Sequence, residues 1–158
     1  MSGDVTTGQP KIRIENLYKI FGHHPERARK MLNEGVPKEE ILKKTGQAIG
    51  VADASFDVYE GETVVVMGLS GSGKSTLIRC VNRLIEPTFG RVYVDGQDVT
   101  ALSVPEMREL RKKKFGMVFQ SFALFPHRTV RDNVAFGLEI QDVEQDERNE
   151  RSQEALDT

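Results

Sequence analysis

Cysteine is close to missing from this sequence. Cys80 is the only one among 158 residues, which excludes an internal disulfide and any cysteine-built metal cluster. No apolar run approaches the roughly 18 residues that a membrane-crossing helix needs. Met1–Gln9 also lacks the apolar stretch of a secretory leader. An excess of one charge is absent as well: 22 Lys and Arg face 24 Asp and Glu, a net −2. That balance argues against a nucleic-acid partner held by blanket phosphate neutralisation. What remains is ordinary globular composition, 38% apolar and 29% charged, in a chain long enough for one domain with a core. The expectation is a soluble protein kept in a reducing compartment.

Residues 1–10, rich in Ser, Gly and Thr, read as a flexible leader. Ile12, Ile14 and Leu17 suggest a short strand running toward Phe21. The charged stretch from Pro25 to Lys44 is divided by Gly35 and Pro37 and stopped by Gly46. It reads as two short helices, an insertion over about 24–46 on the flank of a sheet. Val51–Val58 alternates like a strand, and Thr63–Met67 is a continuous β-branched run suited to a strand covered on both faces. Ser75–Leu84 has helical spacing, with Leu77, Ile78, Val81 and Leu84 on its apolar stripe. Arg91–Val94 reads as strand, closed by an Asp95-Gly96 turn. Ser103-Val104-Pro105-Glu106 has the form of a capping box for a helix ending at Arg111–Lys114. Phe115–Phe119 reads as strand, and Thr129 caps a helix through Val130, Val134 and Leu138. Strands alternating with helices give an α/β class.

The chemistry concentrates in Gly68-Leu69-Ser70-Gly71-Ser72-Gly73-Lys74-Ser75, which has the Walker A spacing of Gly, four residues, Gly, Lys and a hydroxyl residue. Successive backbone N–H groups can surround a polyphosphate only where side chains do not intrude, and Gly71 and Gly73 permit that. The following helix directs its N-terminal N–H groups, including that of Thr76, at the same anion. Lys74 supplies a mobile point charge for the terminal phosphates. The Ser75 hydroxyl suits Mg²⁺, a hard cation that prefers oxygen ligands. The pattern arises by chance in one chain of this length at odds on the order of one in a few hundred. Its place between an apolar run and an amphipathic helix lowers those odds further. The alternative is a Gly/Ser-rich turn that happens to contain a lysine. The stronger reading is a nucleoside triphosphate with Mg²⁺; the resemblance that follows implies ATP.

Leu69–Leu77 resembles the P-loop of ABC transporter ATPases, and Val118-Phe119-Gln120-Ser121-Phe122-Ala123-Leu124-Phe125-Pro126-His127, followed by Thr129–Val134, resembles their Q-loop. Gly90–Gly96 lies between the two, in the family's order. A narrower resemblance is to the glycine betaine/proline uptake branch. It rests on Leu17–Gly22, the insertion with His24-Pro25-Glu26-Arg27-Ala28, Met67–Ser70, Asn82–Thr88 and Phe119–Leu124. The resemblance implies an incomplete P-loop NTPase of the ABC type, with N-terminal antiparallel strands. A partial ABC ATPase domain would span 11–158, and a helical subdomain would begin over about 121–158. It implies that Phe21 stacks on adenine and that Gln120 reaches Mg²⁺ and the attacking water. For Phe21 the alternative is a core position at a strand end; for Gln120 it is a solvated loop amide. It implies a homodimer with a second ATPase subunit, permease subunits in the membrane, indirectly a solute-binding protein, and a peripheral place on the cytoplasmic face of the bacterial inner membrane. Choline, trimethylamine N-oxide and a soluble ABC ATPase without permease stay open as alternatives.

His127 is expected at a partner surface or in solvent, Cys80 in the interior, and Glu144–Asp157 as a solvated, partly helical segment. No Leu-Ser-Gly-Gly-Gln-like signature, Walker B strand or switch histidine follows. The sequence therefore reads as an N-terminal fragment with little activity of its own. Neighbouring parallel strands should then be lacking, leaving strand edges and apolar surface exposed.

Overall fold

The structure is a computed structural model that describes residues 8–121 and 123–158. The expected leader falls mostly on residues 1–7, and Phe122 of the Q-loop resemblance is likewise outside the described residues. The chain divides into two compact units, residues up to Leu102 and residues Ser103–Thr158.

In the first unit, strand β1 (Ile12–Phe21) runs between β2 (Ala48–Val58) and β3 (Phe89–Val94), antiparallel to both, and β4 (Gln97–Asp98) pairs with β3. The buried side chains of β1 are Ile14, Leu17, Tyr18 and Ile20, a sequence that no strict alternation of period two can produce. The pairing explains it. The register with β2 slips between Ile14 and Leu17 and again before Ile20, and Asn16 takes φ 44°. A bulge there re-aims the strand. Asn16 is held by its N–H donating to Ser55 Oγ at 2.8 Å and its Nδ2 donating to Asp53 Oδ1 at 3.0 Å. Asp95 and Gly96 both have positive φ (51° and 77°), the two-residue hairpin turn that joins β3 to β4 and that the Asp-Gly pair anticipates.

Helices α1 (Pro25–Asn33) and α2 (Lys38–Thr45) occupy the charged insertion, and Gly46 closes α2 in the left-handed conformation. They are attached by an apolar cluster in which Ala28 and Ile41 meet Ile20, flanked by Met31, Leu32, Val36, Ile49 and Phe89. Arg29 adds a second attachment, its guanidinium 4.8 Å from the Tyr18 ring and 4.6 Å from the Phe89 ring.

Three expectations need correction. Thr63–Met67 forms no strand; it carries no regular secondary structure, and Val65 and Met67 are 70% and 86% exposed. Phe115–Phe119 forms none either, and Val118 is almost wholly exposed. Both runs have the composition of sheet interior, but a strand exists through its neighbours' hydrogen bonds. None pairs with them among the described residues. The apolar stripe of helix α3 (Lys74–Val81) is the third case. Ile78 and Leu84 are about half exposed, and the residue that α3 buries completely is Cys80. The helix ends at Val81, short of Leu84. The side facing β1 and β2 is covered and the opposite side is not.

Burial pushes the Cys80 thiol up to about 11. Lys19 pulls in the opposite direction and Glu86 reinforces the rise. The reactive thiolate is thereby suppressed near neutrality. Iodoacetamide at pH 8 should modify Cys80 only once denaturant has opened the chain; fast labelling of folded protein, followed by mass spectrometry, would contradict this. The unfolded chain ionises first, near the ordinary 9.0. This group therefore costs stability as pH climbs from about 9 toward about 11.

The second unit contains α4 (Val104–Lys114), α5 (Val130–Ile140) and α6 (Gln145–Leu156). Ser103 and Thr129 form the two capping boxes, accepting from the N–H of Glu106 and of Asp132 respectively. In return the hydroxyls and N–H groups of Ser103 and Thr129 donate to the carboxylates of Glu106 and Asp132 and hold both carboxyls below their usual range. The basic run Arg111–Lys114 is the last turn of α4, favoured there by the helix dipole.

Candidate functional site

Residues Gly68–Thr76 lead from the exposed valine run into α3 and belong wholly to the first unit. Gly73 stands at the N-cap of α3 with φ 99°. A Cβ on it would lie 1.9 Å from the carbonyl oxygen of Gly50. The loop is thus seated directly on the backbone of β2. Gly68 approaches Ser72 almost as closely: an added Cβ would sit 2.7 Å from its Oγ. Gly71 takes φ 76° in open space.

The N terminus of α3 differs from those of the other described helices. Like α1, α2 and α6 it has no side-chain cap, but unlike every one of the others it has no acid in its first turn. Each of α1, α2, α4, α5 and α6 has at least one acid there. Its first N–H groups therefore lack a side-chain acceptor, the arrangement an anion would complete. Lys74 Nζ donates to the carbonyl oxygens of Gly68 at 2.8 Å and Leu69 at 2.7 Å. The ammonium is thereby folded back over the loop that its own helix follows. Ser70, Ser72 and Ser75 supply hydroxyls along the same segment, and Ser75 is exposed. The donor set fits a phosphate chain: amides, one ammonium, hydroxyls and no carboxylate.

Phe21 ends β1 and is 42% exposed, so it is not the core residue of the alternative reading. A Cβ on Gly50 would meet Phe21 Cε2 at 2.8 Å and Thr76 Cγ2 at 3.1 Å. The ring and the start of α3 thus converge over a residue that has no side chain. Lys19 Nζ lies 5.0 Å from the Phe21 ring centroid. Gln120 is exposed in the second unit. Beyond it, Asn133 fastens the loop to α5. Its Oδ1 accepts from Phe125 N–H at 2.7 Å, and its Nδ2 donates to the carbonyls of Phe125, Arg128 and Thr129. Arg128 lies over the Phe125 and Phe136 rings and pairs with Glu139 at 2.6 Å. His127 is exposed.

Two neighbours of the loop were not legible as site residues. One is Gly50, whose signal is a glycine inside a strand, a mark of close backbone approach. The other is Lys38, which has no local sequence signal. A cleft of about 280 Å³ is lined by Gly50 and Val51 of β2, by Gly68, Ser72 and Lys74, and by Lys38 of α2.

Residues 51–158 match the family model described as ABC transporter. Over 146 residues the chain is 58% identical to the glycine betaine/proline betaine transport system ATP-binding protein ProV of Escherichia coli (strain K12), covering 92% of this chain and 36% of that protein. It is 52% identical to the trimethylamine N-oxide transport system ATP-binding protein TmoW of Pelagibacter ubique (strain HTCC1062), covering 85% of this chain and 39% of that one. Among solved structures, the dimeric post-hydrolysis state of the ATP-binding cassette MJ0796 bound to ADP and Pi aligns with a TM-score of 0.73 and 28% identity. That alignment covers 92% of this chain and 56% of the other. The chain spans little more than a third of the length of the curated relatives it matches.

Proposed function

This chain belongs to the ABC transporter family, and we propose that it supplies the ATP-binding part of a subunit that energises uptake of glycine betaine, proline betaine or a related compatible solute. The observation that carries the reading is the phosphate cradle: an acid-free, uncapped helix N terminus with Lys74 folded across a loop seated on β2. The amides of Gly71–Thr76 and the Lys74 ammonium bind and orient the polyphosphate and stabilise charge on the transferred phosphoryl group. Leu69 and Ser70 shape the mouth of the loop. Ser75 Oγ is the proposed ligand of Mg²⁺, which would neutralise phosphate charge when bound. The exposed face of Phe21 stacks on adenine, and the role of Gln120 toward Mg²⁺ and the attacking water is the one that its loop's resemblance implies.

The whole protein acts as a pair of such subunits beneath two membrane permease subunits, fed indirectly by a solute-binding protein. Its place is the cytoplasmic face of the bacterial inner membrane, with no nucleic-acid partner. Among the described residues no helix is long and apolar enough to cross a membrane. Closure of the pair on ATP and release after hydrolysis would form a ligand-biased two-state cycle.

The similarity to TmoW favours one second reading, the same machinery carrying trimethylamine N-oxide. A growth test separates them, in a strain lacking its own importers and carrying the complete gene with its permease. Glycine betaine should restore growth at high salt, and Lys74→Ala should remove the rescue. Restoration by trimethylamine N-oxide alone would transfer the assignment to the second reading. Restoration by neither would overturn both.

A further inference from the structure

We propose that Lys38, in the first turn of the insertion's second helix, is a second cationic ligand for the bound polyphosphate. The insertion would then take part in nucleotide binding rather than decorate the sheet. This rests on the ATP reading above and adds a residue to its site.

Three observations converge on Lys38. It lines the same cleft as Ser72, Gly73 and Lys74, although it comes from a different element. Its side chain has no hydrogen bond and no ion pair among the described residues, whereas its helix neighbour Lys44 is paired with Glu40 at 2.5 Å. Lys11 is likewise neutralised by Glu60 and Asp95. Finally, the cleft wall carries two ammonium groups and no carboxylate. Like charges converging on one concavity without a counter-ion repel each other, and an anion placed between them reverses that cost.

The position of Lys38 is built rather than incidental. Ile41, three residues on and so on the neighbouring helix surface, is completely buried against Ile20 and Ala28. The far end of α2 is tied down by Gly46 in the left-handed conformation, with its N–H donating to the Leu42 carbonyl at 2.8 Å. Thr45 Oγ1 donates to the Ile41 carbonyl and accepts from the Gln47 N–H. Gly50, whose missing side chain lets the loop and β2 come together, forms the floor of the same cleft. A four-carbon stem on a fixed helix start delivers its charge toward the loop at modest entropic cost. A chain of phosphates, carrying several negative charges in a row, is the chemistry such a pair of lysines recognises.

The test is titration of the full-length protein with a fluorescent ATP analogue, alongside displacement by inorganic tripolyphosphate. Lys38→Ala should weaken both ligands by about fivefold, a loss of roughly 1 kcal/mol for a partly solvated charge-assisted contact. Lys38→Arg should recover most of the loss. Lys43→Ala, which removes the same charge from the same helix away from the cleft, should leave both values unchanged. Circular dichroism should show equal helix content in all three variants.

Wild-type affinity in Lys38→Ala, with weakened affinity in Lys74→Ala, would overturn the inference and leave the ATP reading standing. Wild-type affinity in both would remove the reading itself. A loss for the ATP analogue without a loss for tripolyphosphate would place Lys38 against the base or sugar and would also refute the proposal. So would an equal loss in Lys43→Ala, because long-range charge would then account for the effect.

Discussion

Lys74→Ala should weaken Mg-ATP binding by about a hundredfold, roughly the upper range of a hydrogen bond to a charged group. Two losses combine. The ammonium no longer meets the terminal phosphates, where charge-assisted contacts are the strong ones. Its two bonds to the carbonyls of Gly68 and Leu69 also vanish, so the loop loses the clasp that holds its first turn over the helix start. The second loss separates this substitution from a simple deletion of charge. Lys74→Arg keeps the charge but replaces a compact point with a planar fork, which cannot reproduce two short bonds to adjacent carbonyls. It should recover less than a tenth of the lost affinity. Calorimetric titration reads both variants. A dissociation constant within threefold of wild type for Lys74→Ala would refute the assignment of the cradle.

Gly73→Ala should be nearly as damaging, for a reason that is steric rather than electrostatic. At φ 99° an L-residue is strained, a cost of order 1–3 kcal/mol. The new methyl would moreover lie 1.9 Å from the Gly50 carbonyl oxygen. That neighbour is backbone of β2, paired with β1 through Val51 and Ile49, and cannot swing aside as a side chain does. The loop must lift off the strand, and the N–H groups that face the phosphates go with it. Thermal unfolding should drop by several degrees and ATP affinity by more than about thirtyfold. Gly71→Ala provides the contrast. Its φ is 76° but nothing lies within 4 Å of the added carbon, so only the conformational strain remains, about 1 kcal/mol. Equal damage from both variants would show that seating on Gly50 is unimportant.

The two glycines also mark how far the sequence could be read. Walker spacing identifies both, because the pattern encodes the need for bare backbone, but it does not say which one touches a neighbouring strand. Features whose chemistry is local were legible. The Ser103 box, the Thr129 cap, the Asp95-Gly96 hairpin and the Gly46 stop each depend on residues within a few positions. The apolar runs at 63–67 and 115–119 misled because composition signals a sheet interior, whereas a strand depends on partners elsewhere. The slip at Asn16 escaped for a related reason. A bulge changes which residues of β1 face inward, and its cause lies across the sheet in Asp53 and Ser55. Gly50 and Lys38 are remote in sequence from the loop they border, so only the fold brings them into view.

The joint at Arg29 has a mechanical consequence. Its guanidinium lies over two ring faces, and its buried Nε has no hydrogen-bond partner. Contacts of this kind are soft in direction: sliding by a few tenths of an ångström costs little, because no aligned donor and acceptor must part. The Arg29 contact taken alone is therefore closer to a swivel than a rivet, and the buried cluster of Ala28, Ile41 and Ile20 is what fixes the paired helices of 25–45 on the sheet.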